Sequence, residues 1–323
     1  MTALDPTAAP LPALPRRILV GASHAEAVAA RIHTARPALE LRAVPHTAVT
    51  PDDLAWAEAY VGFRRPSPAD LGGVRWVHST GAGVDPWLAP GALPDSILLT
   101  RSPQSFGPPI AEWALARMLA FTQALPALSA AQGVARWAEP PVRPLAGTRA
   151  LIVGTGDIGR AIARVLTPLG VEVIGVSRSG TATAGHFTAV HQTDALPALV
   201  PHCDWLIVVV PDTPATRGLI SRDLLARCRG AVLLNAGRGS AVEESAIPEA
   251  LEAGCLRGAA LDVFVTEPLP PDSPLWRDPR VIISPHCSGL TTVEGAADGF
   301  LECLAAIEGG ERPRWAIDRA RGY

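Results

Sequence analysis

Residues 150–160 read ALIVGTGDIGR, and no other stretch restricts the fold as tightly. The apolar run Leu151-Ile152-Val153 has the character of a strand buried on both faces. It leads directly into Gly154-x-Gly156-x-x-Gly159, and residues 161–166 then place apolar side chains at helical spacing. Strand, glycine turn and helix start together make the first half of a dinucleotide-binding βαβ unit. Each glycine has a mechanical reason. Gly154 allows a sharp turn, Gly156 lets backbone approach a pyrophosphate, and Gly159 lets the helix lie close to the strand. Asp157 and Ile158 complete the turn, where free N–H groups at the positive end of the helix dipole would meet the anion.

The rest of the chain supplies the sheet for this corner. Strands are expected at Arg17–Gly21, Leu39–Val44, Ala59–Gly62, Trp76–Ser79 and Ile97–Thr100, and helices at Ala25–Thr34 and from Asp52. Beyond the fingerprint, strands are expected at Val171–Val176, Trp205–Val210, Ala231–Leu234, Ala259–Asp262 and Val281–Ile283. Helices alternate with them. A long helix, Ile110–Leu125, is entered from Pro108-Pro109 and stopped by Pro126. The fold class is therefore α/β: two Rossmann-like domains, each a doubly wound parallel sheet, with a cleft between them. Residues 16–100 plus 288–323 form one domain and 101–287 the nucleotide-binding one. Trp315–Asp318 returns to the first.

Composition narrows the class. A chain of 323 residues with 48% apolar content and net charge −3 is a folded protein, and that charge suggests no nucleic-acid partner. There is no lysine, which excludes Schiff-base and P-loop chemistry. Five cysteines without a CxxC pair point to a reducing, cytoplasmic setting and to no structural metal. Residues 1–15 are proline-broken, lack a signal-peptide pattern and read as a disordered tail. No apolar run reaches membrane-spanning length.

Ligands of such sheets lie at the carboxyl ends of the strands. Arg238 follows the Ala231–Leu234 strand, Asp262 and Glu267 follow Leu261, and His286 follows Ile283. The tight loop Ser79–Asp85, with Gly81 and Gly83, can offer N–H groups to a carboxylate. After Val176 comes Ser177-Arg178-Ser179, with no carboxylate to repel a 2′-phosphate and with an arginine and two hydroxyls to bind one.

The motifs GTGDIGR (154–160), VPDTPATRGLI (210–220), NAGRGSAV (235–242), LDVFVTEPLP (261–270) and SPH (284–286), with the loop GAGVD (81–85), resemble the D-isomer-specific 2-hydroxyacid dehydrogenases from about Arg17 to Asp318. Within that family the pattern is most similar to the glyoxylate and hydroxypyruvate reductases. The resemblance implies a reductase of small 2-keto acids. His286 would be the general acid, Glu267 would hold its imidazole, and Arg238 would bind the keto acid and polarise its carbonyl. Backbone N–H groups of Ala82 and Gly83 would hold the carboxylate. Asp262 would meet the nicotinamide amide, and Val210, Pro211, Thr216 and Ala236 would line the cofactor. NADP(H) is the preferred cofactor with NAD(H) possible, the partner is a small 2-keto or 2-hydroxy acid, and the assembly is a homodimer. Alternatives are a phosphoglycerate- or phosphite-type relative, or a nucleotide-sensing binding protein of the same fold. Phe63 and Arg64 stand open between pocket lining and structure. Trp113, Trp276 and Cys287 read as packing or interface residues.

Overall fold

A computed structural model of the chain describes residues 9–22, 24–67, 70–89, 91–181 and 186–322. The first eight residues of the expected disordered tail lie outside these, and residues 9–16 form neither helix nor strand. The chain divides into two compact units, Met1–Phe106 with Thr291–Tyr323, and Gly107–Leu290. Each contains one parallel sheet flanked by helices.

The first unit holds β1 (Arg17–Gly21), β2 (Glu40–Val44), β3 (Ala59–Val61), β4 (Trp76–Ser79) and β5 (Leu98–Arg101) in the order β2-β1-β3-β4-β5. Ile18, Leu19 and Val20 pack on both faces of the sheet, which is why these strands read as apolar runs rather than alternating ones. One face is covered by the helices Ala25–Ala35 and Val293–Glu308, whose Phe300 stacks on Trp76 with ring centroids 4.7 Å apart. Each such fully buried side chain stabilises the fold by roughly 1.5–3 kcal/mol relative to exposure. Past that second helix the chain comes back to β5. Ala316 bridges Thr100 in antiparallel sense, and Ile317 N–H donates to the Leu99 carbonyl at 2.9 Å.

The second unit holds β6 (Arg149–Val153), β7 (Glu172–Val176), β8 (Ala189–His191), β9 (Trp205–Val208), β10 (Ala231–Asn235), β11 (Leu256–Leu261) and β12 (Val281–Ile283). Their order is β12-β11-β10-β9-β6-β7-β8, all parallel. The chain moves outward from β6 to β8, then crosses back to β9 on the other side of β6. The point where strand order reverses lies between β6 and β9, beside the glycine fingerprint.

Three local expectations are revised. The long helix spans Gly107–Thr122, and a second helix, Leu125–Gly133, follows it. Pro126 opens that second helix from its first turn, where the missing N–H has no intrahelical partner to lose. The strand from Trp205 ends at Val208, because Val209 and Val210 already belong to the ligand-side loop. The short edge strand β8 is half-buried throughout and has no apolar run to announce it.

Candidate active site

The fingerprint turn behaves as its three glycines require. Gly154 sits at φ 110°, where a side chain is strained, and a Cβ there would come within 2.6 Å of the Val209 carbonyl oxygen. Gly156 caps the helix Asp157–Leu166. A Cβ on Gly159 would fall 1.9 Å from the Gly154 carbonyl oxygen, so the helix presses directly on the turn. Gly156 is the opposite case: an added Cβ would meet no protein atom within 4 Å. The helix N-terminus is thus uncovered at Gly156, the glycine of the three expected to let backbone approach a pyrophosphate. Asp157 pairs with Arg160 one turn along, and Ile158 is half-buried between them.

At the end of β7 the chain makes a tight turn. Ser177 Oγ accepts from Gly180 N–H at 3.2 Å, Gly180 lies at φ 66°, and Ser179 Oγ shares a hydrogen bond with Thr181 Oγ1 at 2.8 Å. Arg178 and Ser179 are exposed on this turn. After β9, Thr216 staples the loop that begins at Val210. Its hydroxyl donates to the Pro211 carbonyl at 2.6 Å and accepts from Thr213 N–H at 2.9 Å. The neighbouring turn after β10 touches it, since a Cβ on Gly237 would lie 2.8 Å from Val210 N and O. Ala236 is buried at that junction.

Asn235, a residue sequence reasoning passed over, shapes the turn that carries Arg238. Its Nδ2 donates to the Arg238 carbonyl at 3.0 Å and its Oδ1 accepts from Gly237 N–H at 3.1 Å. Arg238 is half-buried, and its Nη1 donates to the Gly237 carbonyl at 2.8 Å. Asp212 was missed as well. Hydrogen bonds from Arg217 and Ser240 hold its carboxyl below the usual range, with the charge of Arg238 adding to the effect.

His286 follows β12. Its Nδ1 lies 2.7 Å from Glu267 Oε2, and the other carboxylate oxygen of Glu267 accepts from Phe264 N–H at 3.0 Å. A carboxylate partner only accepts, so Nδ1 carries the hydrogen and Nε2 is left for another group. The two side chains remain 46% and 36% exposed, open enough to meet a ligand. Arg238 and His286 follow β10 and β12, two strand spacings or about 10 Å apart. Asp262 is fully buried, and its carboxylate accepts from Ser284 Oγ at 2.6 Å, Cys287 N–H at 3.0 Å and Ser288 N–H at 2.9 Å.

In the first unit, the loop at the carboxyl end of β4 has its carbonyls tied back. Arg101 Nη1 donates to the Ala82 carbonyl at 2.7 Å and Ser79 Oγ to the Gly83 carbonyl at 3.1 Å. A Cβ on Gly81 would strike the Phe63 ring at 2.6 Å, so Phe63 backs the loop. Trp87 Nε1 holds the Phe63 carbonyl at 2.9 Å, and Tyr60 Oη holds that of Arg64 at 3.0 Å. Trp276 donates to the Pro270 carbonyl at 2.9 Å from a half-exposed position. Among the described residues no group of three or more His, Cys, Asp or Glu is placed to hold a metal, and no helix is long and apolar enough to cross a membrane.

Known proteins resemble this chain in sequence and in fold. Residues 115–288 match a sequence model described as D-isomer specific 2-hydroxyacid dehydrogenase, NAD binding domain. The chain is 33% identical over 264 residues to glyoxylate/hydroxypyruvate reductase A of Serratia proteamaculans, covering 79% of this chain and 83% of that protein. A D-isomer specific 2-hydroxyacid dehydrogenase from Xanthobacter autotrophicus, solved with NADPH and MES, superposes with a TM-score of 0.85. The two are 31% identical over 96% of this chain and 100% of that one. An NADPH-dependent glyoxylate/hydroxypyruvate reductase from Sinorhizobium meliloti, solved with NADP and sulfate, superposes with a TM-score of 0.82 at 29% identity. The match covers 95% of this chain and 99% of that one.

Proposed function

The chain belongs to the D-isomer specific 2-hydroxyacid dehydrogenase family of NAD(P)-dependent oxidoreductases, and from that premise we propose that it reduces a small 2-keto acid, of the glyoxylate or hydroxypyruvate type, to the D-2-hydroxy acid with NADPH. The observation that carries this reading is the His286–Glu267 pair at 2.7 Å, open to solvent at the same sheet edge as Arg238.

The open side of Gly156 fits a pyrophosphate, and Ser177, Arg178 and Ser179 suit a 2′-phosphate. Val210, Pro211, Thr216 and Ala236 would line the cofactor, and Asp262, fully buried with its carboxylate accepting from Ser284, Cys287 and Ser288, would be the residue that meets the nicotinamide amide. When bound, NADPH supplies the hydride. The protein's part is then fourfold. Arg238 orients the keto acid through its guanidinium fork and draws electron density toward the carbonyl oxygen. His286 gives a proton from Nε2 to that oxygen as negative charge develops on it. Glu267 keeps the ring aimed by holding Nδ1. The N–H groups of Ala82 and Gly83 hold the substrate carboxylate, with their carbonyls already engaged by Arg101 and Ser79. The same reading includes a homodimer in the cytoplasm, where the five free cysteines stay reduced.

The test is oxidation of NADPH and NADH with glyoxylate, hydroxypyruvate, pyruvate and a bulkier keto acid. Turnover is expected with the first two, faster with NADPH, and Ser177→Asp with Arg178→Ala should move the preference toward NADH. His286→Ala should lower turnover by about 10²–10⁴ and leave NADPH binding intact. Tight NADPH binding with no turnover of any acid would instead identify a nucleotide sensor. Turnover confined to a phosphorylated hydroxy acid or to phosphite would move the substrate class.

A further inference from the structure

His286 stands in a backbone conformation that needs support. Its φ is 50°, in the left-handed region where a non-glycine residue is strained by roughly 1–2 kcal/mol. The support comes from Asp262. The Asp262 carbonyl accepts from His286 N–H at 2.8 Å, and its carboxylate holds the N–H groups of the next two residues, Cys287 and Ser288, and the hydroxyl of Ser284 two residues before. The loop carrying the histidine is thus pinned on both sides of it to one fully buried side chain.

The chain of bonds does not end at Ser284. Trp113 Nε1, from the helix Gly107–Thr122, donates to Ser284 Oγ at 2.9 Å, although the two residues are 171 apart in sequence. Indole N–H can only donate and a carboxylate oxygen can only accept. The single hydroxyl hydrogen of Ser284 is therefore committed to Asp262, and the direction of every bond from Trp113 to Asp262 is settled. Trp113, Ser284, Asp262 and Ser288 are all buried. Arg117 lies over the Trp113 ring, 4.9 Å from its centroid, and fixes the tilt of the donor.

We infer that Trp113 is a positioning residue for His286, acting through Ser284 and Asp262. This rests on the reading of His286 as the general acid. Without the indole donor, the Ser284 hydroxyl is free to rotate, one of three bonds to the Asp262 carboxylate loosens, and the imidazole samples orientations in which Nε2 misses the carbonyl oxygen. Misplacement of a reacting group by a fraction of an ångström lowers the rate of proton transfer without weakening the binding of either ligand. The ring bulk of Trp113 is a separate matter, and Trp113→Phe separates the two because it keeps an aromatic ring and removes the N–H.

The experiment uses the full chain and the variants Trp113→Phe, Ser284→Ala, the double variant and His286→Ala. For Trp113→Phe, kcat with glyoxylate and NADPH is expected to fall about tenfold, while KM for glyoxylate and Kd for NADPH stay within twofold. The solvent deuterium isotope effect on kcat should rise, because proton transfer becomes more rate-limiting. The double variant should be no slower than Ser284→Ala, since both changes break one chain. In the ligand-free protein, the imidazole resonances of His286 should broaden in Trp113→Phe. Unchanged kcat, isotope effect and imidazole resonances in Trp113→Phe overturn the inference, as do losses that multiply in the double variant. A fall in kcat accompanied by equal weakening of NADPH binding also overturns it, because that marks a structural role. If His286→Ala turns over normally, the reading of His286 as general acid falls. If it is inactive while Trp113→Phe matches the parent enzyme, only the positioning chain falls.

Discussion

The corner of strand, glycine and helix occurs once in each sheet, and the two copies are filled in opposite ways. In the second unit Gly154 follows the last residue of β6, the strand order reverses beside it, and a Cβ added to Gly156 would meet no atom of another segment within 4 Å. In the first unit β1 ends in Gly21, and the strand order likewise reverses between β1 and β3. There the crevice is occupied. Tyr60 from β3 sends its hydroxyl to the Gly21 carbonyl at 3.1 Å, and a Cβ on Gly21 would fall 2.2 Å from that hydroxyl oxygen. Burial pushes the Tyr60 phenol up, as expected for a group sealed in protein. One architecture therefore supplies both a nucleotide cradle and a solid corner, and the difference is whether a neighbouring strand carries a large side chain at the switch point.

The sharpest way to break the contrast is Gly159→Ala. Its Cβ has to displace the Gly154 backbone, so loss of several kcal/mol of stability and of measurable NADPH binding is expected. Native melting temperature and affinity in that variant would mean that helix and turn are not in contact. Gly156→Ala should do the reverse. Thermal unfolding should match the parent within a degree or two, while NADPH affinity drops about tenfold or more as the methyl enters the anion's space. Tyr60→Phe removes the bonds to the Gly21 and Arg64 carbonyls and should lower stability by about 1–2 kcal/mol, read from urea unfolding, with no effect on NADPH affinity. A change in affinity there would show that the solid corner also serves the cofactor.

The smallest effect concerns a second contrast, between two histidines. His286 is half-exposed and paired with a carboxylate. His78, on β4, is fully buried between Thr100 Oγ1 at 2.8 Å and Ser102 Oγ at 2.7 Å, with Trp76 and Phe300 edge-on around it. Burial lowers its pKa to about 3. The folded pKa lies below the unfolded value near 6.5, so the unfolded chain takes up a proton that the fold refuses. His78 contributes stability in full above pH 6.5, and that contribution declines as pH falls toward 3. Between pH 6.5 and 4, the stability of His78→Asn should fall less steeply than that of the parent, by up to one proton in slope. Equal slopes would place the titration elsewhere.

These contrasts show which features can be read from the sequence. The glycine corner was legible because its residues are consecutive and each meets a backbone demand that other residue types fail. Arg238, Glu267 and His286 were legible because strand ends in a parallel sheet mark the ligand side. Trp113 was not, since its N–H matters only through a serine 171 positions away, and an aromatic residue in a helix is ordinarily packing. Asn235 and Arg101 act through turns whose shape no local pattern states. Tyr60 could be recognised as buried from its strand, but nothing in the sequence says that its hydroxyl packs against the Gly21 corner.

The split of the first unit between Met1–Phe106 and Thr291–Tyr323 has a consequence for the order of events during synthesis. Gly107–Leu290 is contiguous and can close its core as soon as it has left the ribosome. The first sheet leaves earlier and cannot, because the side chains that cover one of its faces, Ala297, Phe300, Cys303 and Leu304 among them, lie on the helix Val293–Glu308. At ordinary elongation rates, the roughly 200 residues between are made in about 10–40 s. For that interval Ile18, Val20 and Trp76 lack one of the two helices that cover them, and the nascent chain presents part of that apolar face to chaperones or to neighbouring ribosomes.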